Sequence, residues 1–371
     1  MQAPDLKQLS WLSAVHDQVL AQGSRLHHAL LLQGGKGVGL PELALGLAHS
    51  LLCERPTAAG ACGQCESCHL FASGNHPDLH IILPSVKEAE EGAAPAEEGA
   101  AAEVVWPSSH TPEMAVRGEI KVESIRQLIG ASTVGTTRGG RRIALLYPAE
   151  ALNAVSANAL LKTLEEPPPG MMLLLATSEP GRLLPTIRSR CQVMNVPTPR
   201  PDSPGVLAWL AAQGVQDAPA WLKLARGAPY AALNLAAQAD TLNITDRLAA
   251  WCAPDDSRFW TSGNLKKGEI RAWLEWYYRF AAHCAELASG AAQAGAWLGV
   301  SAAQWQAAAR RLSPAGWHKL LAAVTRALRA AEHPLAPALV TDSLLVQYSD
   351  LIAAEQGAAP DRSAGRRASP T

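Results

Sequence analysis

An apolar segment followed at once by a glycine-rich loop and a helical pattern constrains the fold of this chain more than any other feature. Residues 28–33 (HALLLQ) predict a buried strand, residues 34–39 (GGKGVG) a tight turn, and residues 40–52 a helix with apolar side chains at one-turn spacing. Further continuous apolar runs predict additional strands at residues 79–83, 142–147 (RIALLY) and 171–177 (MMLLLAT). This alternation of strands and helices indicates an α/β fold built on a parallel sheet.

Length and charge limit the class of protein. The chain has 371 residues, more than one compact core usually holds, so we expect several domains. Its net charge of −1 provides no overall field toward nucleic acid or an acidic membrane, so any DNA contact must be local or shared with partners. No segment reaches about 18 consecutive apolar residues, and the N-terminus lacks a secretion signal. We therefore expect a cytoplasmic protein that does not contact the membrane.

Changes in composition divide the chain. Residues 85–117 contain seven glutamates and eight alanines but only two basic residues, which predicts a flexible acidic insertion. Prolines near residues 197–204 indicate a linker, and only helical patterns follow it. The predicted parts are a first domain at residues 1–200, a small helical domain at 201–243, an all-α domain at 244–355 and a disordered tail at 356–371.

The glycine-rich loop has the spacing of a phosphate-binding loop but lacks its functional side chains. In the pattern G-x-x-x-x-G-K-[ST], a lysine and a hydroxyl residue follow the second glycine. Gly34 and Gly39 keep this spacing, whereas Leu40 stands at the lysine position and Pro41 at the Ser/Thr position. Because leucine brings no charge to the phosphates and proline no hydroxyl to Mg²⁺, we expect no functional ATP binding. A glycine-rich turn that never bound nucleotide is the alternative.

The acidic site that would support ATP hydrolysis is missing as well. In ATPases of this type, acidic residues after a later strand hold Mg²⁺ and polarise the attacking water. Here the strand at residues 142–147 is followed by Pro-Ala-Glu, so only Glu150 is available, and it comes three residues late. An active enzyme would have to use unusual ligands such as Lys36 and Glu150.

A cluster of cysteines predicts a metal site. Four of the seven cysteines lie close together in the sequence, at Cys53, Cys62, Cys65 and Cys68. Zn²⁺ prefers four such ligands at tetrahedral corners, and C-x-x-C turns present pairs of sulfurs to one ion. We therefore predict a structural zinc module at about residues 53–68, with an iron–sulfur cluster as the minor alternative. Because four cysteines complete the ligand set, His69 and His76 are expected to be surface or capping residues.

Three motifs link these features to a known family. Residues 158–168 are NALLKTLEEPP, residues 189–191 are Ser-Arg-Cys, and residues 76–78 are His-Pro-Asp. Together with the cysteine insertion after the first helix, they resemble the bacterial clamp-loader family of AAA+ proteins over about residues 5–200. The resemblance implies an AAA+ P-loop-type parallel sheet with a four-cysteine zinc insertion, followed by a small helical lid and an all-α C-terminal collar.

The resemblance also implies roles for particular residues. The ATPase subunits of the family, gamma and tau, carry the intact loop and acidic pair that this chain lacks. Tyr230 occupies the position where those subunits place an arginine near the γ-phosphate. The arginine of the Ser-Arg-Cys motif reaches a neighbouring subunit's ATP in this family. By this match Arg190 is an arginine finger that acts in trans, with Ser189 and Cys191 shaping and packing its turn.

The implied function is that of a non-hydrolysing subunit that helps to load the sliding clamp on primed DNA. The implied partners are the gamma/tau and delta subunits, with the clamp and the primed DNA engaged through the complex. Two alternatives stay open: a gamma/tau-like ATPase subunit and a zinc-dependent nucleic-acid-binding module. The first predicts micromolar ATP binding, and the second predicts salt-sensitive DNA affinity of the isolated protein.

Overall fold

The computed structural model describes residues 4, 6–57, 60–84, 118–132, 135–138, 140–261, 263, 265, 268–291, 295–330 and 337–357. The chain forms two compact units, Met1–Leu235 and Ala236–Thr371. The acidic insertion predicted at residues 85–117 lies outside the described residues, as does nearly all of the predicted tail. The domain boundaries expected at residues 200 and 243 stay predictions.

A five-stranded parallel sheet forms the centre of the first unit. Its strands are β1 (Ala29–Gly34), β2 (Leu79–Ile82), β3 (Arg142–Leu146), β4 (Met171–Thr177) and β5 (Gln192–Val196). They lie in the order β2-β3-β4-β1-β5, and every neighbouring pair is parallel. The parallel α/β sheet expected from the sequence is therefore confirmed. The apolar pattern of the sequence does not predict β5, a short edge strand in which Gln192 and Asn195 interrupt the apolar run.

Helices cover both faces of this sheet, which is why its central strands are buried along almost their whole length. The helices of the first unit are α1 (Ser10–Leu20), α2 (Leu40–Leu52), α3 (Glu66–Ala72), α4 (Val122–Ser132), α5 (Ala154–Glu165), α6 (Pro185–Arg188), α7 (Pro204–Ala212) and α8 (Ala218–Leu224). Alternate strand residues such as Leu31, Leu146 and Leu173 share one core with Leu160 and Leu164 of α5. Helix α2 contacts β1, β3 and β4, and is buried on nearly all sides.

Two local signals set the bounds of α5. The side chain of Asn153 accepts a hydrogen bond from the Ser156 N–H at 2.9 Å and so satisfies a free donor at the start of the helix. The helix ends at Glu165, just before the prolines that begin at Pro167 and cannot continue it. Both bounds of the helix thus follow from residues at its own ends.

The second unit is helical, as the sequence predicts. Helix α9 (Pro229–Thr241) spans the division between the units, and α10 (Ile244–Cys252), α11 (Ser257–Thr261), α12 (Ile270–Ala288), α13 (Ala302–Ala309), α14 (Pro314–Ala330) and α15 (Pro337–Glu355) follow it. Its core contains fully buried aromatic side chains: Trp251, Trp273, Tyr277, Phe280, Trp305, Trp317 and Tyr348. Most neighbouring rings meet edge to face or tilted, an arrangement that adds to the gain from burial. Within the described part of the chain, no helix combines the length and apolarity that a membrane crossing requires.

Candidate functional site

The glycine-rich loop lies where β1 ends and α2 begins. Gly39 precedes α2 with a φ of 104°, and Gly37 has a φ of 76°; both values lie in the left-handed region that favours glycine. A Cβ on Gly37 would lie 2.6 Å from the Cβ of Ala231, and a Cβ on Gly39 would lie 3.0 Å from the ring of Tyr230. Backbone conformation and packing therefore require glycine at these positions, whether or not a phosphate binds.

Aromatic side chains cover the loop. The backbone N–H of Tyr230 donates to the carbonyl of Gly37 at 2.9 Å, and the indole N–H of Trp11 donates to the carbonyl of Val38 at 2.8 Å. The rings of Trp209 and Tyr230 lie 4.9 Å apart, centroid to centroid. Tyr230 is 3% exposed, and burial raises the pKa of its phenol well above the ordinary value, so the side chain is neutral. A neutral aromatic side chain thus stands where the resemblance places a nucleotide-contacting arginine in ATPase subunits.

The other residues singled out around the loop differ in their burial and contacts. Leu40 and Pro41 are the first two residues of α2, and both are buried. Lys36 is exposed within the loop. Glu150 lies after β3, where its Oε1 accepts hydrogen bonds from the N–H and the hydroxyl of Ser178 at 3.2 and 3.1 Å. This carboxylate oxygen therefore fixes the segment that follows β4.

The four clustered cysteines converge between α2 and α3. All four Sγ atoms lie within 4.8 Å of one another. The sulfur–sulfur distances are 3.8 Å for Cys53 and Cys65, 4.0 Å for Cys62 and Cys68, and 3.4 Å for Cys65 and Cys68. Around a tetrahedral zinc ion with Zn–S bonds of about 2.3 Å, neighbouring sulfurs lie about 3.8 Å apart. The arrangement therefore fits a single tetrahedral metal ion.

The protein surroundings affect these thiols unequally. The backbone N–H of Gln64, 3.5 Å from the Sγ of Cys62, lowers the pKa of that thiol to about 6. Burial raises the pKa of Cys68 to about 12. At neutral pH the free Cys68 thiol therefore holds a proton that a metal ion would displace on binding.

The His-Pro-Asp segment at residues 76–78 connects residues 53–68, here named the cysteine module, to the sheet. The hydroxyl of Ser67, in the first turn of α3, donates to the carbonyl of Leu52 at 2.6 Å and lies 2.9 Å from Nε2 of His76. Nδ1 of His76 accepts the Asp78 N–H at 3.1 Å, so Nε2 carries the ring proton and donates to Ser67. Burial lowers the pKa of His76 and keeps the ring neutral.

The surface position expected for His76 is wrong. Its side chain is 6% exposed because it fills the space between α3 and the start of β2, although it does accept a backbone N–H as a capping residue would. His69 is exposed, as expected.

Asp78 forms the centre of a buried network. Its carboxylate accepts the backbone N–H groups of Thr137 and Arg138 at 3.0 and 3.2 Å and pairs with Nη2 of Arg142 at 3.1 Å. Asp78 is 1% and Arg142 6% exposed. Burial opposes ionisation of Asp78, but the two backbone hydrogen bonds and Arg142 outweigh it and hold the pKa of the carboxyl below its ordinary value. Arg142 is thus a buried structural residue rather than part of a solvated basic loop.

Arg138, in the loop that leads into β3, connects that loop to the cysteine module. Its Nη2 lies 2.6 Å from a carboxylate oxygen of Glu54 and 2.6 Å from one of Glu66. These acidic residues follow Cys53 and Cys65 directly in the sequence. The loop before β3 therefore contacts both the cysteine module and the sheet.

The Ser-Arg-Cys motif forms the turn between α6 and β5. The Ser189 hydroxyl donates to the carbonyl of Thr186 at 3.1 Å. Cys191 packs against the core of the sheet, where burial raises the pKa of its thiol to about 11. Arg190 pairs with Glu165, the last residue of α5, at 2.6 Å. The structure thus brings the NALLKTLEEPP and Ser-Arg-Cys motifs into direct contact.

Comparisons with known proteins agree with these motifs. The family model described as DNA polymerase III, delta subunit, matches residues 14–200. The chain is 39% identical to DNA polymerase III subunit delta' of Pseudomonas aeruginosa over 233 residues, which covers 62% of this chain and 61% of that protein. It is 32% identical to subunit delta' of Escherichia coli K12 over 291 residues, covering 76% and 78%. It is also 34% identical to subunit tau of Escherichia coli K12 over 167 residues, covering 45% and 21%. The chain thus spans about three-fifths of the length of the Pseudomonas relative.

Replacing Asp78 by asparagine removes the negative charge that pairs with the buried Arg142. We expect the free energy of unfolding at pH 7 to fall by about 3 kcal/mol. Because the pKa of Asp78 is lowered in the folded state, its contribution is complete above the unfolded-state pKa of about 4 and is lost as the pH falls through the folded value. The stability difference between variant and parent should therefore shrink below about pH 4, as denaturant unfolding at a series of pH values would measure.

The matched control is Asp202→Asn. Asp202 pairs with Arg200 at 3.3 Å, but both side chains are exposed. We expect this variant to change the free energy of unfolding by less than about 0.5 kcal/mol. A loss from Asp78→Asn no larger than that of the control would contradict the structural role of Asp78.

Proposed function

The chain belongs to the family of bacterial DNA polymerase III delta' subunits, and from that membership we propose that it acts as a non-hydrolysing subunit of the clamp loader. The observation that carries the proposal is the 32% identity across 78% of the Escherichia coli delta' subunit. In this role the protein helps to place the sliding clamp on primed DNA. Its partners are gamma/tau-type and delta-type subunits, and it engages the clamp and the DNA through the complex.

The surroundings of the glycine-rich loop support the non-hydrolysing role. Leu40 and Pro41 stand at positions where phosphate and Mg²⁺ binding needs a lysine and a hydroxyl. Tyr230 packs against the loop as a neutral side chain, and one carboxylate oxygen of Glu150 is engaged by Ser178. A phosphate at this loop would therefore meet no cation or hydroxyl from those positions. In this proposal the loop is a degenerate P-loop kept for packing.

The isolated chain should not bind Mg²⁺–ATP at micromolar concentrations, because the loop lacks its charged and hydroxyl ligands. Equilibrium titration with a fluorescent ATP analogue measures this, with a gamma-type ATPase subunit as the positive control. Micromolar, Mg²⁺-dependent binding would instead favour the gamma/tau-like alternative, in which Lys36 and Glu150 would have to serve as ligands.

We assign a structural zinc ion to Cys53, Cys62, Cys65 and Cys68. Four sulfurs complete a tetrahedral ligand set, so no position is left for a substrate or a reactive water. The module that holds the ion is tied to the rest of the unit through Ser67 and Arg138. The ion therefore stabilises the segment that packs beside β2 and the loop before β3.

Cysteine substitution separates metal ligands from ordinary buried thiols. Purified protein should contain about one zinc ion per chain, and Cys65→Ala should lose it. Cys252→Ala is the matched control, because Cys252 is also buried but lies in the second unit, so it should keep its zinc. Elemental analysis by mass spectrometry measures both.

Two results would contradict the zinc assignment. If elemental analysis finds no metal above background, the chain binds no metal ion. If it finds iron together with inorganic sulfide, the cysteines hold an iron–sulfur cluster instead of zinc. Tight, salt-sensitive DNA binding by the isolated zinc-loaded chain would favour the alternative of a nucleic-acid-binding module.

Arg190 is the residue we propose for contact with a neighbour's ATP. It precedes β5 at the amino end of the sheet, whereas the glycine-rich loop follows β1 at the carboxyl end. A strand of this length spans about 17–20 Å, so Arg190 is far from the loop of its own chain. Its side chain is 35% exposed, and a guanidinium makes bidentate contacts to phosphate that stabilise charge during phosphoryl transfer.

Arg190→Ala should give a folded subunit that joins the complex but lowers the ATPase activity stimulated by clamp and primed DNA. We expect the ATPase turnover of the reconstituted loader to decrease several-fold. An arginine finger raises the rate of phosphoryl transfer about 10³-fold or more, but only at the one ATP site that it reaches. Arg182→Ala, which removes an exposed arginine paired with Glu179, is the control and should leave turnover unchanged. Unchanged turnover with Arg190→Ala would remove Arg190 from the mechanism.

A further inference from the structure

We propose that Glu165 positions the Arg190 guanidinium for a neighbour's phosphate, an inference that rests on the function proposed above. The Nε–H of Arg190 donates to Oε1 of Glu165 at 2.7 Å, and Nη2 lies 2.6 Å from the same oxygen. An Nη1–H donates to the carbonyl of Thr186 at 3.0 Å. All three guanidinium nitrogens thus contact groups of the same chain.

The donors left over are those that a phosphate needs. An arginine side chain carries five N–H donors, one on Nε and two on each terminal nitrogen. Each terminal nitrogen carries two hydrogens, so Nη1 and Nη2 can each donate to a further acceptor beside their contacts with Thr186 and Glu165. The hydroxyl oxygen of Ser189 lies 3.5 Å from Nη1, at the limit of a hydrogen bond, so an incoming oxyanion readily replaces it. These terminal N–H groups are donors that a phosphate can engage.

Glu165 is suited to this task because it stands on a rigid element. Helix α5 is capped by Asn153 at its start, and Leu160 and Leu164 anchor it in the core. Arg190 instead lies in a turn after a four-residue helix, and its long side chain loses considerable rotamer freedom when it is held in one orientation. Preorganisation of the guanidinium by Glu165 removes this cost from the step in which phosphate binds.

Because the Arg190–Glu165 ion pair is exposed, a positioning role can be distinguished from a role in folding stability. The side chains of Arg190 and Glu165 are 35% and 50% exposed, and ion pairs so exposed add little to folding stability. Loss of the carboxylate should therefore leave the subunit folded and able to assemble. Its effect should fall on the turnover of the assembled complex.

The competing interpretation is that Glu165 acts as a latch, a contact that holds Arg190 away from ATP until it is released. A carboxylate beside the guanidinium offsets part of its charge, and a latch would have to release Arg190 before ATP could be contacted. Removal of a latch raises the stimulated ATPase activity, whereas removal of a positioning residue lowers it. The second N–H on each terminal nitrogen favours positioning, because phosphate can bind there without breaking the Glu165 contact.

The test uses the reconstituted loader with clamp and primed DNA. Glu165→Ala should lower the stimulated kcat about fivefold with little change in the KM for ATP, which corresponds to a coupling of about 1 kcal/mol. In an Arg190→Ala background the same substitution should have no further effect, because there is no guanidinium left to position. Glu165→Gln keeps an acceptor oxygen and should lose less activity than Glu165→Ala. Glu179→Ala, which removes an exposed carboxylate paired with Arg182, should change nothing.

The outcomes distinguish this inference from the function on which it rests. If Arg190→Ala has no effect, the contact proposed between Arg190 and a neighbour's ATP is wrong. If Arg190→Ala lowers turnover while Glu165→Ala leaves it unchanged or raises it, only the positioning role is wrong. An equal loss from Glu165→Ala with and without Arg190 would also overturn it, as would a Gln variant less active than the Ala variant. Size-exclusion chromatography and thermal unfolding of each variant check that assembly and folding are retained.

Discussion

The pairing of β1 with both β4 and β5 is the constraint on which the candidate sites depend. Parallel pairing places all strand starts at one edge of the sheet and all strand ends at the other. Glu165 and Arg190 precede β4 and β5, so both lie toward the amino edge, where the ion pair between them forms. The glycine-rich loop follows β1 and lies at the carboxyl edge. Arg190 therefore lies at one edge of the sheet and the glycine-rich loop at the other.

A second set of contacts makes the cysteine module part of the sheet domain. Asp78, just before β2, binds the loop that leads into β3, and Arg138 of that loop reaches the acidic residues beside two of the cysteines. The hydrogen bond between Ser67 of α3 and His76 also connects the module to the segment that precedes β2. A structural metal ion in the module would therefore stabilise more than its own residues, because the same hydrogen bonds hold the edge of the sheet.

The sequence predicts the central strands well because they follow a local rule. Continuous apolar runs are found where strands are covered on both faces, and Asn153 and Pro167 mark the ends of α5 in an equally local way. The contacts that involve β5, Arg142 and Tyr230 depend on residues distant in sequence, and no local pattern encodes them. The motifs that carry the family resemblance predict the candidate residues, but not the contact between Glu165 and Arg190, since the two are 25 positions apart.

The persistence of a glycine pattern without its lysine has a physical reason in this chain. A Cβ on Gly34 would lie 2.8 Å from the carbonyl oxygen of Val196, and one on Gly37 would lie 2.7 Å from the backbone nitrogen of Ala231. Gly39 requires a backbone conformation that other residues adopt only with strain. Packing thus restricts the glycines independently of any ligand, whereas no comparable contact demands a lysine at position 40, where the buried side chain of Leu40 fits the interior. A loop of this kind can lose its phosphate chemistry and keep its spacing, so the spacing alone is evidence for the fold and not for ATP binding.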